Sequence, residues 1–314
     1  MKEQNNQTNE QKRLTEEEIV ARLEAHQHYL LRNVEGWKQM CADFSNCDLS
    51  GVNFPKFAKK ISPNGPFDLS DAIFFGANLS DSDLSDTVLN SCDFRKANLS
   101  HAYLENVSCC GAYFSAASAW MCNCTCAKFY SCDFVRADFQ QACINKANFK
   151  ACNFIEANFS QAYTELGADF INCKGIRTLF CGANLGDSDL SKSDFSGAVF
   201  SDVNLSNATM NNVIANNASF VGASMEFIKA NDSAFRQVDF TGANLYASKF
   251  ERCDFYDSIF QWTNLTKTDL SGSHIDLPDH ETSYAGSEEV AFQWKMLPRV
   301  EQKAKQLKLL NKNR

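Results

Sequence analysis

Large apolar residues return at every fifth position along most of this chain. Neither an α-helix, with 3.6 residues per turn, nor a strand, with its two-residue alternation, turns that spacing into one buried face. The series includes Leu49, Phe54, Leu69, Phe74, Leu79, Leu84, Leu89, Phe94, Leu99 and Leu104, and resumes from Phe129 to Phe159. One extra residue then shifts the frame, and the period continues from Phe170 to Ile275. Two residues before each centre stands a small side chain, such as Ala77, Cys92, Ala97, Ala137, Cys152 or Ala183, with Phe67 and Ile228 as departures. The residue between the two is mostly Asp or Asn.

If each five-residue unit forms one side of a square coil, its centre and its small residue point inward and the other three face water. Four units then close a coil of about 20 residues, stacked at the ~4.8 Å spacing of paired strands. Such a repeat accumulates stability from contacts between neighbouring coils.

Ala77-Asn78-Leu79-Ser80-Asp81, Ala97-Asn98-Leu99-Ser100-His101 and Ala157-Asn158-Phe159-Ser160-Gln161 carry a recognisable signature. It resembles the A-(D/N)-(L/F)-x-x motif of the pentapeptide-repeat family over about residues 41–276. The resemblance implies an all-β solenoid, a right-handed quadrilateral parallel β-helix, and a bacterial origin. It implies little about activity, because members range from topoisomerase-targeting DNA mimics to secreted effectors.

The repeat divides the chain. Residues 1–13 are expected to be a disordered tail, 14–40 a helical N-terminal cap, 41–276 the β-helix and 277–314 a linker with a C-terminal helical segment. Thr15 and Glu18 make a capping box and Leu14 with Ile19 a hydrophobic staple. Ile19, Leu23, His26 and Leu30 would share one face, with Trp37 covering the first coil. Residues 55–66 leave the period, hold three of the five prolines and the Lys56, Lys59 and Lys60 cluster, and are expected to form an outward loop. A bulge is expected near 161–168. The centres Cys109, Ala119 and Cys124 are small, so Trp120 or Met121 would have to swing inward to fill that coil. Past Ile275, Val290, Trp294, Leu297, Val300, Ala304 and Leu307 recur at helical spacing, with Lys303, Lys305, Lys308, Lys312 and Arg314 beside them. That amphipathic segment would cap the end or join two copies.

No catalytic constellation emerges. His26, His28, His101, His274 and His280 have no Cys or Asp at a recognisable spacing, and no glycine-rich phosphate loop is present. Cys122, Cys124 and Cys126 suggest zinc, but the frame points the first two inward and the third outward, so they cannot converge on one tetrahedral ion. The remaining cysteines mostly replace Ala at the small position, as core filler. A net charge of -8 argues against gripping nucleic acid, which needs a basic stripe. The first residues lack the apolar core of a secretory signal and no stretch suits a membrane helix, so a cytoplasmic, reducing setting is expected.

A filled lumen leaves outer faces, loops and ends as the functional surface, without enzyme activity, cofactor or small-molecule substrate. One side collects Phe75, Val135, Ile155, Ile176 and Tyr256, of which Val135, Ile155 and Ile176 follow on consecutive coils as an apolar stripe for a partner. Another gathers Asp43, Asp83, Asp86, Glu105, Glu165, Asp187 and Glu226. The leading expectation is an interaction or scaffolding rod, meeting a protein partner or its own copy through the stripe, the lysine loop or Trp294 and Leu297 of the C-terminal helix. A DNA mimic acting on a type II topoisomerase is the alternative that the resemblance suggests, and a secreted effector the second.

Overall fold

The computed structural model describes residues 11–63 and 65–275; Trp294, Leu297 and the C-terminal helical segment lie outside the described residues. The period becomes a right-handed β-helix solenoid of four-sided coils. One unbroken ladder of parallel bridges runs Asp43–Ile73–Asp93–Tyr113–Asp133–Asn153–Lys174–Asp194–Ile214–Ala234–Asp254–His274, and each of the other three sides carries a similar ladder. Eleven steps at ~4.8 Å give a length of roughly 53 Å. In chain order within a coil, the sides are centred on Phe74, Leu79, Leu84 and Leu89 and their stacked equivalents.

Each side contributes one bridging residue before the chain turns, so long strands are absent from the described residues and only two-residue pairs are regular enough to be strands. These are β1 (Lys12–Arg13) with β2 (Cys47–Asp48), and β3 (Phe67–Asp68) with β4 (Thr87–Val88), both parallel. The expected disordered tail is therefore corrected at its end. Lys12 and Arg13 pair with the first coil, and Arg13 Nη1 lies 3.2 Å from Asp48 Oδ2.

Five amide groups per repeat must be satisfied, and the sequence motif follows from how they are. In the Asn98–Leu99 repeat, the centre donates forward to Ser118 O (2.6 Å) and Asn98 donates backward to Ala77 O (2.9 Å). His101 donates forward to Trp120 O, and Ala102 closes the corner by donating to Leu99 O. Only the Ser100 N–H lacks a backbone acceptor, and the Asn98 side chain takes it at 3.1 Å. Asp48, Asn78, Asp83, Asp133, Asp138 and Asp239 do the same for their own corners. The preference for Asp or Asn before the centre is thus a hydrogen-bond requirement, beyond mere exposure to water. In some repeats where that residue is not Asx, a side chain one coil earlier substitutes: Asn145 accepts from Glu165 N, Asn216 from Arg236 N and Ser191 from Asn211 N.

Inside, phenylalanines stack coil upon coil. On the first side the rings of Phe44, Phe74, Phe94, Phe114, Phe134 and Phe154 follow one another at 4.8–5.2 Å. On the second side a ladder runs from Phe139 through Phe159, Phe180, Phe200, Phe220 and Phe240 to Phe260. The handover has a reason: Gly175 occupies a first-side centre, and any Cβ there would lie 2.4 Å from the Phe195 ring. The small inward position does more than fill space. Ser193, Ser233 and Ser258 donate to the corner carbonyls Phe170 O, Met210 O and Phe235 O of the coil before.

Four expectations change. Residues 55–66 contain α2 (Pro55–Ile61), not an outward loop: Phe57 and Ile61, spaced one helical turn apart, are buried. Lys56 pairs with Glu16 and Lys60 with Glu24, whereas Lys59 stays exposed. Trp120 and Met121 stay outside the thin coil, because the frame places them on the corner. Leu30 is only half-buried, on a helix α1 (Glu16–Leu31) that packs Ile19, Leu23 and His26 against the first coil. Trp37 lies in a short 3-10 turn beside Tyr29, also half-exposed. Near 161–168, the ladder step widens from 20 to 21 residues, as in Asn148↔Asp169, and Gly167 takes a positive φ of 73°. A Cβ there would meet Asp187 O at 2.5 Å.

Most corner residues adopt positive φ although they are not glycine, among them Lys96, Met121, Arg136, Ala151 and Trp262. The left-handed region costs an L-residue about 1–2 kcal/mol. Ala151→Gly, at φ 60° on an exposed corner, is therefore expected to leave stability unchanged or raise it by up to about 1 kcal/mol, opposite to the usual effect of this substitution. Equilibrium urea unfolding checks the sign.

His26 is fully buried, and its Nδ1 accepts the Ala42 N–H at 3.1 Å. Burial pushes its pKa below the usual 6.5, against the pull of Asp68 and Asp71. The unfolded chain then binds the proton more readily, so this contribution is complete above about pH 6.5 and is lost as pH falls through it. Urea midpoints should fall between about pH 7.5 and 5.5, and less so in His26→Gln, which keeps an acceptor for Ala42.

Candidate interaction surfaces

The square frame assigns every outward residue to a side. Val135, Ile155 and Ile176 stack on the first side: Arg136 N donates to Ile155 O and Glu156 N to Ile176 O, each at 3.0 Å. All three are half-buried. Beside them Glu156 is clamped by Arg136 (2.9 Å) and Arg177 (2.5 Å), whose guanidinium groups hold its carboxyl below the usual range. Phe75 and Tyr256 share the column but not the patch. Arg95 and Ser115 intervene on one side, and Ser196, Asn216 and Arg236 on the other. Arg95 and Lys96 further cover the Phe75 ring, at 5.7 and 5.4 Å from its centroid.

Asp43 does not belong with Asp83. Its bridge partner is Ile73, which puts it on the first side, because α2 and its flanks add ten residues, half a coil, to the first turn. The other six acids, Asp83, Asp86, Glu105, Glu165, Asp187 and Glu226, do share the third side, with Lys146 and Lys267 as its coil cations.

The second side, adjacent to it, was missed from sequence. It carries Asp48, Asp81, Asp138, Asp202 and Asp239 and none of the coil lysines or arginines. Its exposed apolar residues are Trp120, Met121, Leu179, Ile259 and Trp262. Ion pairing follows the same division. Asp93–Arg95, Arg136–Glu156–Arg177, Arg236–Asp254 and Asp232–Arg252–Glu251 lie on the first and fourth sides. Among the described residues, the one second- or third-side acid in an ion pair is Asp48, and its partner comes from β1. Tallying cations by column would have exposed this segregation.

The lumen is chemically quiet. Burial pushes the thiols of Cys92, Cys109, Cys124 and Cys152 far above their usual range, and those of Cys173 and Cys253 up to about 12. They remain S–H groups, and Cys92, Cys132 and Cys152 donate to Leu69 O, Cys109 O and Phe129 O. Cys122 and Cys124 face inward with sulfurs 3.4 Å apart, whereas Cys126 lies on the outer wall. A concavity of about 470 Å³ under α1 is lined by Arg22, Cys41, Asp43 and Cys47, among others. Arg22 there donates to Asp43 O, and burial raises the Cys41 pKa to about 11, so the thiol offers no nucleophile. No helix among the described residues is long and apolar enough to cross a membrane.

Known structures offer company of low similarity. HetL, a pentapeptide repeat protein involved in heterocyst differentiation regulation from the cyanobacterium Nostoc sp. strain PCC 7120, is 20% identical; the match covers 74% of this chain and 99% of HetL, with a TM-score of 0.32. QnrB1, a plasmid-mediated fluoroquinolone resistance protein, is 16% identical over 68% of this chain and 92% of its own, with a TM-score of 0.29. A pentapeptide repeat protein of the Arabidopsis thaliana thylakoid lumen is 25% identical over 36% and 61%, with a TM-score of 0.18. No curated protein sequence matches. The family model described as Pentapeptide repeats matches residues 67–90, 72–108, 92–123, 132–163, 167–202, 198–237 and 233–272. Spanning well over half the sequence and coinciding with the stacked coils, that match makes this chain a member of the pentapeptide repeat family.

Proposed function

We propose that this chain is a non-catalytic interaction rod that holds a protein partner, or a second copy of itself, against its outer faces. The observation that carries this reading is the filled lumen: every centre is closed by stacked phenylalanines and other small or aliphatic side chains, so chemistry is confined to the outside. Contiguous half-buried apolar residues at Val135, Ile155 and Ile176 are the surface we assign to the partner, since apolar patches on a soluble protein mark such contacts. On this reading α1 acts as the N-terminal cap, residues 277–314 as a linker and second helical end carrying Trp294 and Leu297, and the protein works in the cytoplasm. Lys59 is the lysine of the 55–66 segment still open to a partner, because Lys56 and Lys60 are engaged by α1.

The DNA-mimic alternative meets a magnitude. Duplex DNA spaces one charge every ~1.7 Å, so a rod of about 53 Å would need roughly 31 negative charges to copy it. Residues 41–276 sum to about -9, which favours the scaffold over a full mimic. A secreted effector has only the basic C-terminal residues in its favour.

The test is a pull-down from native lysate with wild type and Val135→Asp/Ile155→Asp/Ile176→Asp. A protein retained by wild type and lost by the folded triple variant is expected. Equal recovery by both removes the stripe from the account.

A further inference from the structure

The uncompensated acidic sector exposes aromatic surface at Tyr103, Trp120, Tyr163, Phe227 and Trp262, and around Trp120 two of these rings stand close to three carboxylates that form no ion pair among the described residues. On the second side Trp120 (38% exposed) and Met121 (43%) stand out from the coil, and the His101 ring meets Trp120 edge-on at 4.8 Å. Around the corner, on the third side, Tyr103 is 51% exposed. Their backbone is fixed: His101 N donates to Trp120 O and Met121 N to Gln140 O, each in the coil ahead. The patch is therefore carried on hydrogen-bonded backbone, which lowers the ordering cost of binding.

Its rim is acidic. Asp81 stacks one coil below His101 and Asp83 one coil below Tyr103, while Glu105 follows Tyr103 by two residues. Amides meet two of these: Asn53 donates to Asp83 and Asn123 to Glu105. Neither amide cancels a charge, and no cation reaches the three carboxylates among the described residues. An apolar partner would bury these charges without compensation, which is costly. Nucleic acid and anionic membrane surfaces would be repelled by them. A segment bearing Lys or Arg would supply the missing charges and set a cation against the Trp120 ring, the most favourable side chain for that contact.

We propose that the Trp120-centred patch, His101, Tyr103, Trp120 and Met121 within the rim of Asp81, Asp83 and Glu105, docks a basic segment of a protein partner. The proposal rests on the interaction-rod reading but places a recognition site on a different face from the apolar stripe. A cation seats over Trp120, apolar side chains lie along Met121, and the rim carboxylates pair with flanking cations.

The probe is a fluorescently labelled, Trp-free (Arg-Leu-Gly)5 peptide, titrated by anisotropy at physiological salt with a (Glu-Leu-Gly)5 counterpart. The arginine peptide should bind wild type and the glutamate peptide should not. Trp120→Ala, at an exposed position whose loss leaves the lumen intact, should weaken binding about tenfold, and Asp81→Asn/Asp83→Asn/Glu105→Gln by at least as much. The fourth-side pair Asp232→Asn/Glu251→Gln should bind like wild type. Absence of binding, binding indifferent to Trp120, or equal loss in the fourth-side variant would each overturn the proposal, the last by reducing it to diffuse charge. The Val135→Asp/Ile155→Asp/Ile176→Asp variant separates the two readings. Peptide binding should survive in it even where lysate capture is lost, and loss of peptide binding there alone would place the cation site on the first side and overturn this one.

Discussion

At each corner the amide of the second residue past the centre donates to a carbonyl of the coil ahead, as His101 N does to Trp120 O and Lys96 N to Ser115 O. That bond requires the left-handed backbone region, which the chain adopts with lysine, arginine, methionine and tryptophan as well as with glycine. Other constraints follow from it. The turn that reaches the next coil strands one amide, which is why Asp or Asn precedes the centre. The same turn drives the next small residue inward, where Ser, Thr and Cys place donors on the corner carbonyls. Aromatic ladders then occupy what the backbone encloses, contributing about 0.5–1.5 kcal/mol per ring pair beyond burial.

Because two of five residues are committed inward and one to its own corner amide, selection for function acts on the remaining outward positions. Their distribution is uneven. Cations gather on the first and fourth sides, where they neutralise local acids, and among the described residues no carboxylate of the two adjacent sides forms an ion pair with a coil cation. A rod with that division presents different surfaces to different partners: a mixed, partly apolar face at Val135–Ile155–Ile176 and an acidic face with an aromatic centre at Trp120. Charge segregation of this kind governs encounter and partner choice more than fold.

The lumen was legible in the sequence because a five-residue period admits one assignment of inward positions, and Phe134, Leu185 and Phe240 lie where it puts them. The frame also contained the answer for Trp120, since the residue after a centre always lies on the corner; the small centres Ala119 and Cys124 suggested otherwise. Phe114 and Phe129, with their rings 5.7 Å apart, and the paired sulfurs of Cys122 and Cys124 supply the bulk there instead. Asp43 was misplaced because α2 and its flanks insert half a coil, so columns before and after it cannot be joined by counting in twenties. Phe57 and Ile61 at helical spacing were the available sign of α2. β1 carried no such sign: two residues show no period, and their pairing is tertiary.

A square coil of four five-residue units, with no special role for any single coil, determines the fold. Deleting residues 195–214 joins Asp194 to Ala215 and removes one whole coil in register; deleting 195–212 removes nearly the same material but slips the frame. Circular dichroism thermal melts of the two deletions test this directly. A cooperative melt close to that of the full chain is expected for the first and loss of cooperative structure for the second. Collapse of the in-register deletion, or equal tolerance of both, would contradict it.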